Sequence, residues 1–308
     1  MRREITRREF IHATGAAVAG AAVAGTFGVP AMAAKRTYDI SLAGWSLHRM
    51  IGRNEGQRNM LDMPQVSSED LGVNAIELVN QMMSGKDKKY IDKLAANASK
   101  YDTKILLIMI DGAGAAGARS QSARDAAVKN HCEWIDIAAD LGCHSVRMNW
   151  AGQPKDFLTN APAREELIAR SVGAFRDITE YGDKKNLNVI IENHWGPSSY
   201  PEYLIDLIKR VDHPRFGTLP DFGNFPEEVD NYDAVDRMMP YAKAVSAKCY
   251  DFDDDTGLET KLDYDRLITN VVDKHGYHGF IGIEYEGNRM SEPDGIVACR
   301  KLLEKLRG

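Results

Sequence analysis

The 308-residue chain is short of several things whose absence is informative. It has four cysteines, Cys132, Cys143, Cys249 and Cys299, and no pair in C-x-x-C spacing, which argues against a structural zinc site. Their irregular spacing, in a chain long enough to bury its own core, predicts free and mostly buried thiols. Basic residues are in deficit, 39 Lys and Arg against 45 Asp and Glu for a net charge of −6, so nucleic acid is not an expected partner. No G-x-S-x-G hydrolase elbow occurs. No apolar run reaches the ~20 residues of a stable membrane span. What is present, 44% hydrophobic and 27% charged residues, is the balance of a globular protein rather than a disordered or collagen-like one.

The first residues stand apart. Arg2, Arg3, Arg7 and Arg8 precede an Ala/Gly/Val stretch over 13–29, followed by Pro30-Ala31-Met32-Ala33-Ala34. A basic head, an apolar centre and a small-x-small cleavage site describe an export signal. The order Thr6-Arg7-Arg8-Glu9-Phe10-Ile11 resembles the twin-arginine consensus. The expectation is a signal peptide over 1–33, a mature domain over 34–308, and a periplasmic or otherwise extracytoplasmic location. A route that carries folded passengers also favours a bound metal or nucleotide.

Beyond Lys35, short apolar runs alternate with amphipathic stretches. The runs fall at 38–42, 75–79, 105–110, 145–150, 188–192, 216–221, 244–250 and 280–285, and many are continuously apolar, as parallel strands covered by helices require. Helical patterns fall at 90–101, 122–141, 163–185, 201–211, 262–275 and 292–306. One βα unit per interval and eight intervals predict a single-domain (β/α)8 TIM barrel, with a doubly wound open sheet as the competing topology.

In such a barrel the chemistry gathers where strands end. Polar residues cluster there: Trp45-Ser46-Leu47-His48, Glu77, Asp111, Arg147-Met148-Asn149, Glu192-Asn193-His194, Asp221-Phe222-Gly223-Asn224, Lys248 and Glu284-Tyr285-Glu286. A lone carboxylate at the end of a buried strand is costly, so Glu192, Asp221 and Glu284 point to a shared cation. Strand alternation puts Ile190, Glu192 and His194 on one face, and Gly282 with Glu284 on another, where the missing Gly282 side chain would leave room for a ligand.

These motifs, Ile191-Glu192-Asn193-His194, Asp221-Phe222-Gly223-Asn224 and Gly282-Ile283-Glu284-Tyr285-Glu286-Gly287, resemble those of the xylose isomerase-like barrels, also called sugar phosphate isomerase/epimerases and related to endonuclease four. With Trp45-Ser46-Leu47-His48 they run from the first strand to the last. The resemblance implies one divalent metal held by Glu192, Asp221, a residue of the seventh strand, and Glu284. Family members commonly carry Val-His-x-Lys-Asp on that strand, whereas this chain has Val245-Ser246-Ala247-Lys248-Cys249, with Ser246 at the histidine position.

Three readings stay open. A metal is held by Glu192, Asp221 and Glu284 with water or His194, an oxygen-rich set suited to Mn²⁺ or Mg²⁺. Alternatively, the Lys248 ammonium replaces the ion, or the cluster is a structural polar network. The extra histidines of trinuclear endonucleases are missing. The implied chemistry is removal of a proton α to a sugar carbonyl, with Glu192 and Glu284 as acid and base on opposite faces. His48, His194 and Lys248 are candidates to move protons or polarise the carbonyl, Trp45, Trp195 and Tyr250 to stack on the sugar, and Arg147 and Asn149 to bind hydroxyls.

An exported enzyme meets few phosphosugars, so the expected substrate is a small unphosphorylated carbohydrate. A keto-sugar or 3-keto-glycoside lyase or hydratase is the alternative on the same site, a non-catalytic sugar-binding barrel is the other, and homo-oligomerisation stays open. Two further motifs carry less. Gly112-Ala113-Gly114-Ala115-Ala116-Gly117 fits G-x-G-x-x-G, but its acid partner, Asp136, lies in a helical pattern rather than at a strand end. Asp251-Phe252-Asp253-Asp254-Asp255-Thr256-Gly257 resembles a calcium loop with its glycine at the wrong place and Leu262 where the loop needs a glutamate.

Overall fold

Each of the eight apolar runs forms a strand in the computed structural model, which describes residues 35–308; the expected signal peptide lies outside the described residues. The strands are β1 (Asp39–Ala43), β2 (Ala75–Val79), β3 (Lys104–Ile110), β4 (Ser145–Met148), β5 (Asn188–Glu192), β6 (Phe216–Leu219), β7 (Val245–Cys249) and β8 (Phe280–Tyr285). All pair in parallel in the order β6-β5-β4-β3-β2-β1-β8-β7. The first strand therefore pairs with the last, through Asp39↔Phe280 to Leu42↔Ile283, as a barrel requires and an open doubly wound sheet does not.

The ladder is thinnest between β6 and β7, where the strands meet only through the bridges Thr218↔Ala242 and Asp221↔Ser246. Backbone bonds from Ser246 N–H to Pro220 C=O (2.9 Å) and from Phe222 N–H to Ser246 C=O (3.1 Å) hold this seam together. It runs directly beneath Asp221, one of the three expected carboxylates.

Helices occupy Lys88–Lys100, Gln121–Asp140, Ala161–Asp183, Pro201–Val211 and Glu292–Arg307, close to the predicted stretches. Their starts are legible: the side chains of Asp87, Ser120, Asn160 and Ser291 each accept a backbone N–H of the first turn. The stretch predicted over 262–275 is a short α-helix, Tyr264–Ile268, that widens into a π-turn over Thr269–Lys274. One helix went unpredicted, Asn231–Met238, because it buries only Ala234, Val235 and Met238 and so carries too short an apolar stripe. The irregular helical turns at Met60–Asp70 were likewise unpredicted.

All four cysteines are free, and three of them are buried. Inside the ring, Ser41, Gly282 and Ser246 stand side by side in register. Here one expectation is corrected. The space left by Gly282 is not available to a ligand, because a Cβ there would collide with the Glu77 carboxylate from β2. Glu77 fills that space instead, accepting a 2.7 Å hydrogen bond from Ser41 Oγ.

Candidate functional site

The strand register sets the site. Lys248 on β7 pairs directly with Glu284 on β8, so both side chains turn to the same side of the sheet. Lys248 Nζ lies 3.0 Å from Glu284 Oε1, 3.1 Å from Glu286 Oε1 and 3.9 Å from Asp221 Oδ2. Glu192 at the end of β5, Asp221 just after β6, and Glu284 on β8 are all buried, each offering an oxygen within 4.8 Å of the others. The three carboxylates singled out in the sequence therefore converge.

Each carboxylate has a distinct shell. Asp221 Oδ1 accepts the backbone N–H groups of Gly223 (2.8 Å) and Asn224 (2.9 Å). Asn193, not foreseen as functional, clamps the Asp221 backbone, accepting its N–H at 2.7 Å and donating to its C=O at 3.0 Å. Asn224 Nδ2 donates to Glu192 Oε1 at 2.8 Å. The Arg147 Nε group lies 2.9 Å from Glu192 Oε2, yet neither atom completes a hydrogen bond. A buried carboxylate oxygen is thus left with charge compensation but no directed donor.

Ser246 occupies the position where the resemblance implies histidine. Its Oγ is 2.7 Å from Asp221 Oδ2 and 2.9 Å from Glu284 Oε2. A hydroxyl has one proton, so it satisfies one of these acceptors; the other contact needs a carboxyl proton or a cation. Burial pushes Asp221 up to about 8 in spite of Lys248, consistent with a carboxyl proton at that place. Burial likewise pushes Glu192 up to about 7, only partly opposed by Arg147. Burial would also raise Glu284, but Lys248 and Arg147 outweigh it and hold Glu284 below the usual glutamate value. Lys248 would be lowered by burial, and the surrounding carboxylates instead hold it well above the usual lysine value.

The donor set fits a hard cation. Three convergent carboxylates and the Ser246 hydroxyl form an all-oxygen arrangement, and Glu192 Oε2 is left without a hydrogen-bond donor. The same carboxylates also carry an internal cation, Lys248, so the protein partly neutralises the cluster by itself.

The other predicted site residues divide into groups. Arg147, expected to bind hydroxyls, is buried between Asp111, 2.6 Å from its Nη1, and Glu192, 2.9 Å from its Nε. Asn149 donates to Asp111 Oδ1 (2.6 Å) and lies 3.1 Å from His194 Nδ1, tying His194 to this inner network. Burial, followed by Arg147, lowers the pKa of His194, favouring the neutral ring. Trp195 is 73% exposed and stacks on His194 at 4.8 Å. Tyr250 reaches the Gly223 carbonyl at 3.5 Å. Trp45 and His48 pair with one another, and His48 turns towards Glu292 (3.4 Å), outside the hydrogen-bonded cluster.

The weaker motifs resolve into ordinary structure. Asp136 lies in the Gln121–Asp140 helix, bound by Tyr181 and Lys185, and the glycine loop at 112–117 ends three residues before the Ser120 helix cap. Asp253 caps its own turn through the N–H groups of Asp255 and Thr256. Sequence reasoning also passed over Glu77 as a partner in the barrel interior, although a glutamate in the otherwise apolar run Ala75-Ile76-Glu77-Leu78-Val79 was a visible signal.

Comparison with known proteins supplies a relationship. No curated protein matches the chain. Among solved structures, L-ribulose 3-epimerase superposes with a TM-score of 0.70 at 16% identity, covering 88% of this chain and 94% of its own. The probable 3-DHS dehydratase AsbF of Bacillus anthracis gives 0.64 at 18% identity, covering 86% and 98%. A xylose isomerase-like TIM barrel protein from Mycobacterium smegmatis, in complex with magnesium, gives 0.64 at 17% identity, covering 88% and 96%. These likenesses establish the fold. A family profile described as xylose isomerase-like TIM barrel matches residues 67–306, most of the chain, and the chain therefore belongs to that family.

Proposed function

We propose that the protein is a sugar isomerase or epimerase that removes a proton α to the carbonyl of an unphosphorylated carbohydrate, with Glu192 and Glu284 as its acid–base pair. The carrying observation is the convergence of Glu192, Asp221 and Glu284 at the strand ends of one barrel mouth. Glu192, Asp221 and Glu284 would hold a divalent cation, Mn²⁺ or Mg²⁺, which when bound stabilises negative charge on the substrate oxygens. Epimerases among the structural neighbours support the same class of chemistry.

The protein's own groups divide the work. In this reading Glu284, ion-paired with Lys248 at 3.0 Å, accepts the α-proton, and Glu192 returns one on the other face. Lys248 stays charged throughout and keeps Glu284 oriented. Asn193 and Asn224 fix the positions of Asp221 and Glu192. His194 and Tyr250 provide the walls of the mouth against which a sugar ring rests.

Incubation with D-fructose, D-tagatose and keto-glucosides in D₂O, followed by proton NMR, tests this reading. Loss of one sugar C–H signal in the wild type, absent in Glu284→Gln, is the expected result. Saturable binding without exchange at any C–H would instead identify a non-catalytic sugar-binding barrel.

A keto-glycoside lyase or hydratase is the second reading. It uses the same proton abstraction but expels a β-substituent, and a dehydratase stands among the structural neighbours. The leader motif supports an exported protein and hence an unphosphorylated substrate. Fractionation of cells producing the full chain checks this, and retention of uncleaved protein in the cytoplasm would oppose it.

A further inference from the structure

Next to Asn224, a hydrogen-bond partner of Glu192, lies a cleft of about 280 Å³ lined chiefly by Phe157, Leu158, Trp195, Tyr200, Phe225 and Pro226. Asn224, which lines this cleft, donates its side chain to Glu192 at 2.8 Å, so a single residue separates the cleft from a proposed catalytic carboxylate. Two of its walls, Leu158 at 43% and Trp195 at 73% exposure, are among the few large apolar side chains that the described residues present to solvent. Trp195 adopts φ 58° and ψ 156°, a backbone region normally kept for glycine that costs an aromatic residue about 1–3 kcal/mol. Its ring is nonetheless held in place, lying nearly parallel to His194 with 18° between planes. Phe157 meets Tyr200 edge-on at 5.9 Å, giving the opposite wall a fixed shape.

The polar atoms of the lining are largely committed elsewhere. Tyr200 donates its hydroxyl to Glu228 at 2.7 Å, and Ser199 donates its own to the Asn224 carbonyl at 3.0 Å. A second sugar ring would bring several hydroxyls into this cleft and lose water without regaining partners. A flat apolar ring brings no such debt. The volume is also near the small end of ligand pockets, about 300 Å³, enough for a small ring system rather than an oligosaccharide.

We propose that the cleft is an aglycone subsite, taking an aryl group attached to the sugar whose ring lies over Glu192 and Glu284. It rests on the carbohydrate reading above only for the placement of the sugar. The substrate class it selects is aryl glycosides and their keto derivatives, with Trp195 and Leu158 as specificity-determining residues.

Calorimetry on the full chain with 4-nitrophenyl β-D-glucopyranoside, methyl β-D-glucopyranoside, cellobiose and 4-nitrophenol alone tests the proposal. The aryl glucoside is expected to bind ~10- to 100-fold more tightly than the methyl glucoside, the range that burying one aromatic ring supplies. Free 4-nitrophenol is expected to compete with it. Trp195→Ala and Leu158→Asp, both at exposed positions where folding is not at stake, are each expected to shrink the ratio several-fold. Equal affinities, a ratio unmoved by both variants, no competition by 4-nitrophenol, or tighter binding of cellobiose would overturn the subsite. An aryl preference that tracks Trp195 while no sugar C–H exchanges would uphold the subsite and refute the catalytic reading, so the two fail separately.

Discussion

Lys248 and Glu284 form an ion pair of 3.0 Å in which both side chains are almost wholly buried, at 1% and 3% exposure. Their surroundings make the pair tolerable: Glu286 gives the ammonium a second carboxylate at 3.1 Å, and Ser246 Oγ faces the other Glu284 oxygen. A buried charge pair of this kind gives little net stability over an apolar pair of the same size, yet losing one partner is expensive.

Lys248→Met should therefore destabilise the protein by about 3–5 kcal/mol, the cost of stranding a buried charge. Manganese should restore part of that loss, because a cation held by Asp221 and Glu284 replaces the missing ammonium. Thermal denaturation with and without Mn²⁺ measures both effects. A variant as stable as the wild type would show that the carboxylates are not charged together.

Metal binding should be stoichiometric and should depend on Asp221. We expect one equivalent of Mn²⁺ by calorimetry and electron paramagnetic resonance, weakened ~100-fold or more in Asp221→Asn, since a neutral amide is a poor substitute for a carboxylate on a hard ion. Ser246→His should tighten binding by restoring a nitrogen donor. Undiminished binding in Asp221→Asn would place the ion elsewhere.

Replacing either glutamate should act on proton transfer. Glu192→Gln and Glu284→Gln should each slow C–H exchange by ~10²–10⁴, the usual worth of a positioned acid or base. Asn193→Ala, which removes the clamp on the Asp221 backbone, should slow exchange less while leaving both glutamates in place. Stopped-exchange NMR gives the rates.

Glu77 gives the fold a pH dependence of its own. Burial pushes it up to about 7, opposed by the Ser41 hydrogen bond. Below about 4.5, the ordinary glutamate value, it is protonated folded and unfolded alike, so its contribution is fully present there. As pH rises to about 7 the unfolded chain releases the proton first, and stability falls by about 3 kcal/mol at 1.36 kcal/mol per unit. Denaturant titrations across this window should show the slope in the wild type and its loss in Glu77→Gln. An identical slope in the variant would assign it to another group.

Much of the fold is legible in the sequence. The eight runs became strands because a parallel sheet covered by helices is apolar on both faces, and that pattern is local. Glu192, Asp221 and Glu284 stood out because each ends or follows such a run. The partners of Arg147 are the opposite case: its type and place mark it as a polar strand-end residue, but that it meets Asp111 and Glu192 depends on the stagger of β4 against β3 and β5. Gly282 was misread, since the Glu77 that fills its space comes from a different strand some 200 residues away.

The division follows from the range of the forces involved. The order of elements, the helix caps and the apolar faces were determined by the sequence itself, through backbone preferences and the burial of neighbouring side chains. Tertiary structure alone decided that Ser246 bridges two carboxylates, that Lys248 is the cluster's own cation, and that Trp195 and Leu158 wall a cleft beside Glu192. Those are contacts between residues far apart in the chain, and ring closure, strand stagger and loop packing must all be fixed before such a pair can meet.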